Sequence, residues 1–201
     1  PIKLIDFENI ENNHFVVTTQ YSFKSKLTKR PDLVLLVNGI PLVVIEAKTP
    51  VRPSVSWADG ALQVSEDYEK NIPEVFVPNV FSAATEGKEL RYGAVGAAVE
   101  AFWTPWKKVD PEKQGLLAIS DTVKSLFDRK TVLEMLQHYT IFATDPKARK
   151  IKIIARYPQY EAVNLIVQRV VEGKIKHGLI WHFQGSGKSL LMVFAALRLR
   201  F

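Results

Sequence analysis

The spacing of apolar residues changes several times along the chain, and each change marks an element. "HFVVTTQYSF" (His14 to Phe23) is rich in β-branched and aromatic residues and predicts a strand. Over 32–37 and 42–47 the runs "LVLLV" and "LVVI" are apolar without alternation. That pattern predicts strands covered on both faces, as at the centre of an α/β sheet. Asn38-Gly39 between them is a short-range hairpin signal. "SVSWADGALQVSEDYEK" then predicts a helix carrying Trp57, Ala61, Leu62 and Tyr68, interrupted by Gly60.

"NVFSAAT" and "ELRYGAV", separated by Glu86-Gly87-Lys88, predict strand, turn, strand. Residues 101–120, with Trp103, Pro105, Trp106 and Pro111, show no period and are expected to be irregular. Helices are predicted over 121–127, with Asp121 as N-cap, and over 130–142. "ATDPKARK" is polar and basic and is expected to be a linker, dividing the chain into domains at 1–145 and 146–201. A helix over 159–171, a strand over 179–183, a Gly-rich turn and a helix over 188–199 complete the expectation.

Composition narrows the class. The 201 residues are 47% hydrophobic, enough for a sizeable core. No apolar run approaches the roughly 20 residues of a membrane span. The absence of cysteine excludes disulfides, thiol nucleophiles and cysteine zinc sites, and is consistent with a cytoplasmic location. A net charge of +6 favours a polyanionic partner. The densest basic stretches are Lys24, Lys26, Lys29, Arg30 and Lys147, Arg149, Lys150, Lys152, either of which could be a phosphate-contacting face.

Candidate chemistry sits at the rims of the two buried runs. Glu46 and Lys48, two apart on a strand, project to one face. A carboxylate beside an ammonium suits metal-assisted hydrolysis, and Asp32 across the hairpin would supply the second carboxylate. Carboxylates about 4 Å apart at an effective dielectric near 20 repel by roughly 4 kcal/mol, so the pair calls for a cation or a shared proton. A plain two-residue turn at Asn38-Gly39 would pair Asp32 with Ile45 and put Glu46 on the other face. The site therefore predicts an odd-length loop or a bulge. Asp/Glu-x-Lys occurs five times, but only at Glu46 does it follow a buried strand and face the chain's single Pro-Asp.

"RPD…IEAK" resembles the PD-(D/E)-x-K nuclease superfamily. The longer "ENNHFVVTTQ…RPDLVLLVNGIPLVVIEAKTP" resembles the amino-terminal nuclease region of type I restriction enzyme R subunits. The resemblance implies an α/β fold with a nuclease-like mixed sheet flanked by helices. It implies Mg²⁺ on Asp32 and Glu46, with Lys48 completing the phosphodiesterase site. The family's Gln-x-x-x-Tyr element maps to Gln63. Tyr68 is five residues on rather than four, which in an α-helix turns it about 140° from Gln63 instead of about 40°.

A second motif lies near the other end. In "GLIWHFQGSGKSLLMVFAALRL" an apolar strand leads through Gln184, Gly185, Ser186, Gly187, Lys188 and Ser189 into an apolar helix. Glycines let N–H groups close on phosphates, Lys188 reaches the β/γ oxygens and Ser189 ligates Mg²⁺. The stretch resembles motif I of superfamily-2 helicase-type motors, implying ATP and the first strand–P-loop–helix of a RecA-like domain. "ARYPQYEAV" resembles their adenine-reading element, with Gln159 as reader. No Asp-Glu pair of a Walker B motif is present, so the expectation is an incomplete, amino-terminal piece of the motor.

These resemblances together imply a type I site-specific deoxyribonuclease. It would be Mg²⁺-dependent, coupled to ATP-driven translocation on double-stranded DNA, and partnered by methyltransferase and specificity subunits, with no membrane association. A repair or recombination nuclease–helicase and a non-catalytic docking module are the competing readings.

Overall fold

The computed structural model describes residues 3–52, 54–107, 112, 116–174 and 176–200. β1 (Phe15–Thr19) is followed by a short ribbon, β2 (Phe23–Lys24) and β3 (Thr28–Lys29), before β4 (Leu33–Val37) and β5 (Ile40–Ala47). β4 and β5 form the predicted hairpin. Asn38 and Gly39 take positive φ values of 52° and 81°, as a two-residue hairpin turn requires. The Asn38 side chain also accepts from His14 N at 2.7 Å and donates to Leu4 O at 2.8 Å, anchoring the turn to the preceding segment.

The hairpin register shifts once. Val37 pairs with Ile40 and Leu36 with Pro41, but Leu35 pairs with Val43, so Leu42 is an extra residue in β5. Leu42 and Val43 consequently pack into the same hydrophobic cluster. Below this bulge Leu33 lies opposite Ile45, which carries Asp32 to the level of Glu46.

From β5 the chain crosses over through one helical segment. This comprises α1 (Trp57–Leu62), a π-helical stretch (Gln63–Tyr68), α2 (Glu69–Asn71) and α3 (Pro73–Phe76). Ser56 caps α1, and the Asp59 carboxylate accepts from Ser56 N in return. β6 (Phe81–Thr85) then pairs parallel to β5, and β7 (Leu90–Gly93) runs antiparallel to β6. After α4 (Val99–Phe102), β8 (Thr104–Pro105) completes a six-stranded mixed sheet in the order β1-β4-β5-β6-β7-β8.

Both faces of β5 are covered, and this explains its unbroken apolar run. Val43 and Ile45 join one cluster with Phe81, Tyr92, Leu126 and Val132. Val44 joins the opposite cluster with Ala61, Val64, Tyr68 and Trp103. By strand alternation Glu46 shares the face of Val44, beneath the crossover helix.

The later half departs from the sequence expectations. α5 (Leu116–Leu126) begins before Asp121, which lies mid-helix instead of capping it. Ala118, Ile119, Thr122 and Leu126 already form the buried stripe, so helical spacing starts upstream. Pro111 of the stretch read as irregular lies outside the described residues. α6 (Arg129–His138) is capped by Asp128, which accepts from Lys130 N and Thr131 N at 3.0 and 3.2 Å. It ends at His138, and 140–142 belong to a strand. β9 (Thr140–Thr144) and β10 (Lys150–Ile154) form a hairpin, so "ATDPKARK" is its turn and flanks and not a free linker. Asp145 organises that turn by accepting from Lys147 N and Arg149 N at 2.9 Å each.

α7 (Tyr157–Glu172) and α8 (Lys188–Arg200) follow as expected. The strand expected over 179–183 is not formed among the described residues. A strand needs a hydrogen-bonding neighbour, and none flanks this segment among the described residues. Its Leu179, Trp181 and Phe183 are 85%, 88% and 75% exposed. No helix of the described residues is long and apolar enough to cross a membrane.

Candidate active site at the end of the central hairpin

Asp32 enters the hairpin just before β4, and its carboxylate is held from two sides. Oδ2 accepts from Ala47 N at 2.9 Å, and Oδ1 accepts from the Gln20 side chain at 2.9 Å. Gln20 N also donates to Asp32 O at 2.9 Å, with Gln20 at a φ of 52°. Nothing in the sequence marks Gln20, since its partner is twelve residues away.

Glu46 is 3% exposed near the end of β5. Its Oε1 accepts from Lys48 Nζ at 2.9 Å, and its Oε2 accepts from the Tyr68 hydroxyl at 3.2 Å. Lys48 also donates to Gln63 Oε1. Gln63 Nε2 donates to the Tyr68 hydroxyl at 2.5 Å. Glu46, Lys48, Gln63 and Tyr68 thus close a ring of hydrogen bonds in which each donor and acceptor is used consistently. The main-chain oxygen of Arg30 lies 3.4 Å from the Tyr68 hydroxyl, tying the ring to the segment that delivers Asp32.

The π-helical stretch resolves the spacing of Gln63 and Tyr68. It closes i→i+5 hydrogen bonds, and Glu69 N donates to Val64 O. Residues five apart therefore return to the same side. The α-helical rotation that separates the two side chains does not apply here, and Tyr68 belongs to the site. Gln63, Asp32, Glu46 and Lys48 are brought together as the sequence predicts, through the predicted bulge.

Gly60 has a positional reason as well. A Cβ there would come 3.2 Å from Ala84 Cβ and 3.4 Å from Glu46 Cγ. The glycine that weakens α1 on propensity grounds lets the helix lie directly on β5 and β6 beside Glu46.

The electrostatics suit a cation. Burial holds the Glu46 carboxyl above the ordinary carboxylate range, and the nearby Asp32 charge pushes the same way. Hydrogen bonds from Lys48 and Tyr68 act in the other direction. Burial, followed by the Glu46 charge, raises the Tyr68 hydroxyl far above its ordinary value, so it stays protonated as a donor. Among the described residues no group of three or more His, Cys, Asp or Glu is placed so that it could hold a metal ion. The donor set is therefore two oxygen carboxylates. It fits Mg²⁺, which favours oxygen, is commonly held by one or two carboxylates and retains several waters.

The glycine loop is the second candidate. Gly185 and Gly187 have φ of 78° and 82°, and α8 opens at Lys188. Lys188 Nζ donates to His182 O at 3.1 Å and Phe183 O at 2.9 Å, while Gln184, Gly185 and Ser189 are exposed. Gln159 is buried, not a surface glutamine. Its Nε2 donates to Gly187 O at 3.1 Å, and its Oε1 accepts from Arg156 N at 2.9 Å. The buried Ser186 Oγ has no hydrogen-bond partner. Gln159 and the loop are thus neighbours, with Gln159 bracing the loop's main chain.

Residues 1–100 match the family described as type I restriction enzyme R protein N terminus (HSDR_N), and residues 158–201 match SWI2/SNF2 ATPase. The chain is 37% identical over 210 residues to the type I restriction enzyme HindI endonuclease subunit of Haemophilus influenzae, covering 98% of this chain and 20% of the relative. It is 26% identical over 192 residues to the SauCOLORF180P endonuclease subunit of Staphylococcus aureus, covering 94% and 20%. The chain spans about a fifth of the length of these curated relatives. With the hairpin site lying inside the matched stretch, the chain belongs to the type I restriction enzyme R proteins, and residues 1–100 carry the match to their N-terminal region.

Proposed function

We propose that this chain carries the phosphodiester-cleaving site of a type I restriction endonuclease subunit, together with an element that binds ATP for DNA translocation. The observation that carries the nuclease reading is the bulged hairpin. It sets Asp32 and Glu46 side by side with Lys48 bonded to Glu46. A divalent cation held by Asp32 and Glu46 would polarise a phosphoryl oxygen and lower the pKa of water.

The residues of the chain do the positioning. Lys48 has three N–H donors, of which Glu46 and Gln63 take two. The third is available to orient the attacking water or a phosphate oxygen. Gln63 holds the ammonium in place, and Tyr68 fixes the remaining oxygen of Glu46. Asp32, held by Gln20 and Ala47 N, would serve as the second carboxylate.

In the ATP-binding element, Lys188 would exchange two neutral main-chain carbonyls for phosphate, a stronger charge-assisted partner. Ser189 would face the nucleotide's Mg²⁺, and Gln159 would read adenine from its place against the loop. This part would be the first P-loop and helix of a RecA-like domain over 146–201, beside a nuclease domain over 1–145. The relatives' names favour a restriction complex over a repair nuclease. In that setting methyltransferase and specificity subunits are the partners, double-stranded DNA is the substrate and the cytoplasm is the location.

Calorimetric titration with Mg²⁺ or Mn²⁺ tests the cation site. Asp32→Ala should weaken binding at least tenfold, about 1.4 kcal/mol. Equal binding by wild type and variant removes the site. In the enzyme assembled with its partners, Lys48→Ala should slow cleavage by about 10²–10⁴-fold, the usual range for a positioned proton-transfer group.

A further inference from the structure

The β2–β3 ribbon lies in the chain immediately before Arg30, Pro31 and Asp32, and two of its cations are already committed. Lys29 pairs with Asp67 at 2.7 Å, and Lys26 donates to Lys70 O at 3.0 Å. Ser25 Oγ donates to Glu74 at 2.7 Å. These bonds brace the ribbon against the crossover segment that supplies Gln63 and Tyr68, and Lys29 neutralises Asp67 there. Lys24 and Arg30 differ: both are exposed, and neither side chain has a hydrogen bond or ion pair among the described residues. The Arg30 carbonyl nevertheless touches the Tyr68 hydroxyl, which is bonded to Glu46.

We infer that this ribbon is a phosphate clamp for the nuclease site, with Arg30 and Lys24 gripping the backbone of duplex DNA next to the scissile phosphate. The inference rests on the nuclease reading above and deepens it. A ribbon braced by these bonds and carrying two exposed, uncommitted cations offers a positive edge. The guanidinium of Arg30 matches a phosphate bidentately, and its main chain is already fixed to the catalytic ring. The clamp would position DNA, while cation binding and chemistry stay with Asp32, Glu46 and Lys48.

The test uses the full R subunit assembled with its partners. DNA cleavage is measured between 50 and 200 mM salt for wild type, Lys24→Ala/Arg30→Ala, Lys24→Arg/Arg30→Lys and Lys48→Ala, with ATP hydrolysis as the control for assembly. Each phosphate contact contributes about −0.9 to the logarithmic salt slope. The double alanine variant should therefore lose about 1.8 from that slope. Its deficit should be greatest at low salt and shrink about tenfold across the range, with ATP hydrolysis unchanged. The charge-preserving variant should keep the wild-type slope.

Wild-type cleavage and slope in the double alanine variant, with Lys48→Ala inactive, would overturn the clamp and leave the nuclease reading standing. So would an equal deficit at every salt concentration, which marks a merely structural role. Wild-type cleavage by Lys48→Ala as well would remove the nuclease reading itself.

Discussion

Glu69 shows how a single residue carries a cost that only burial reveals. Its carboxylate accepts from Gly96 N at 2.9 Å. Burial, with Glu66 adding to it, pushes its pKa up to about 7, against the opposing pull of Gly96 N–H and Lys152. A carboxyl whose folded pKa lies above its unfolded value contributes stability that is complete below the unfolded value and lost as pH rises through about 7. Glu69→Gln should accordingly gain on the order of 1 kcal/mol at pH 8, allowing for partial solvent access, and nothing at pH 4. Urea melts at the two pH values check this. Glu46 bears the same kind of burial cost, with the Asp32 charge adding to it. Asp32, Glu46 and Lys48 were legible as residues because charged side chains bound apolar runs, and Gln63 only through the family resemblance. Gln20 was not, because its partnership with Asp32 exists only after the chain folds back.

At the scale of elements, the site depends on two irregularities. The extra residue Leu42 turns Glu46 toward Asp32, and the π-helical stretch turns Tyr68 toward Gln63. The first follows from the sequence once a shared cation site is assumed, since a regular two-residue hairpin would separate the carboxylates. The second does not follow from α-helical period, because a π turn changes the rotation per residue only where packing holds it. If the π turn accommodates one inserted residue, deleting Ser65 should restore a regular helix with Gln63 and Tyr68 four apart. Cleavage should stay within about tenfold of wild type, the equivalent of about 1.4 kcal/mol. Inserting an alanine after Ser65 should abolish it. Cleavage assays on the assembled enzyme, with circular dichroism to confirm folding, compare the two. The hairpin of β9 and β10 was illegible for a different reason: its polar, basic turn resembles a linker in composition, and Asp145 makes it a turn through local bonds.

Across the whole molecule, the two candidate sites are carried on one continuous core. Tyr92, Trp106, Tyr160, Tyr139 and Phe194 form a chain of ring contacts with centroids 5.5, 5.0, 4.8 and 5.9 Å apart. It runs from the sheet of the hairpin site to α8 behind the glycine loop. A polar tie lies beside it. Glu134 of α6 accepts from Arg198 of α8 at 2.8 Å and from the Tyr160 hydroxyl at 2.6 Å. Removing one partner of a largely buried pair leaves the other uncompensated. Glu134→Ala should destabilise the chain by about 3 kcal/mol, read as a lower urea midpoint, and should loosen α8 before the central sheet in hydrogen exchange. An unchanged midpoint would show that hydrophobic packing holds α8 without this polar tie.

What the amino-acid order determined by itself is whatever depends on local chemistry. This includes the Asn38-Gly39 turn, the buried strands, the carboxylate and ammonium at their ends, and a glycine loop opening a helix. Tertiary structure alone decided which neighbours those groups meet. It set the partner of Asp32 at Gln20, the side of the helix on which Tyr68 emerges and the unpaired state of 179–183. The reason is physical. Turn and strand propensities act within a few residues, whereas register, burial and strand pairing are settled by contacts between segments far apart in the chain.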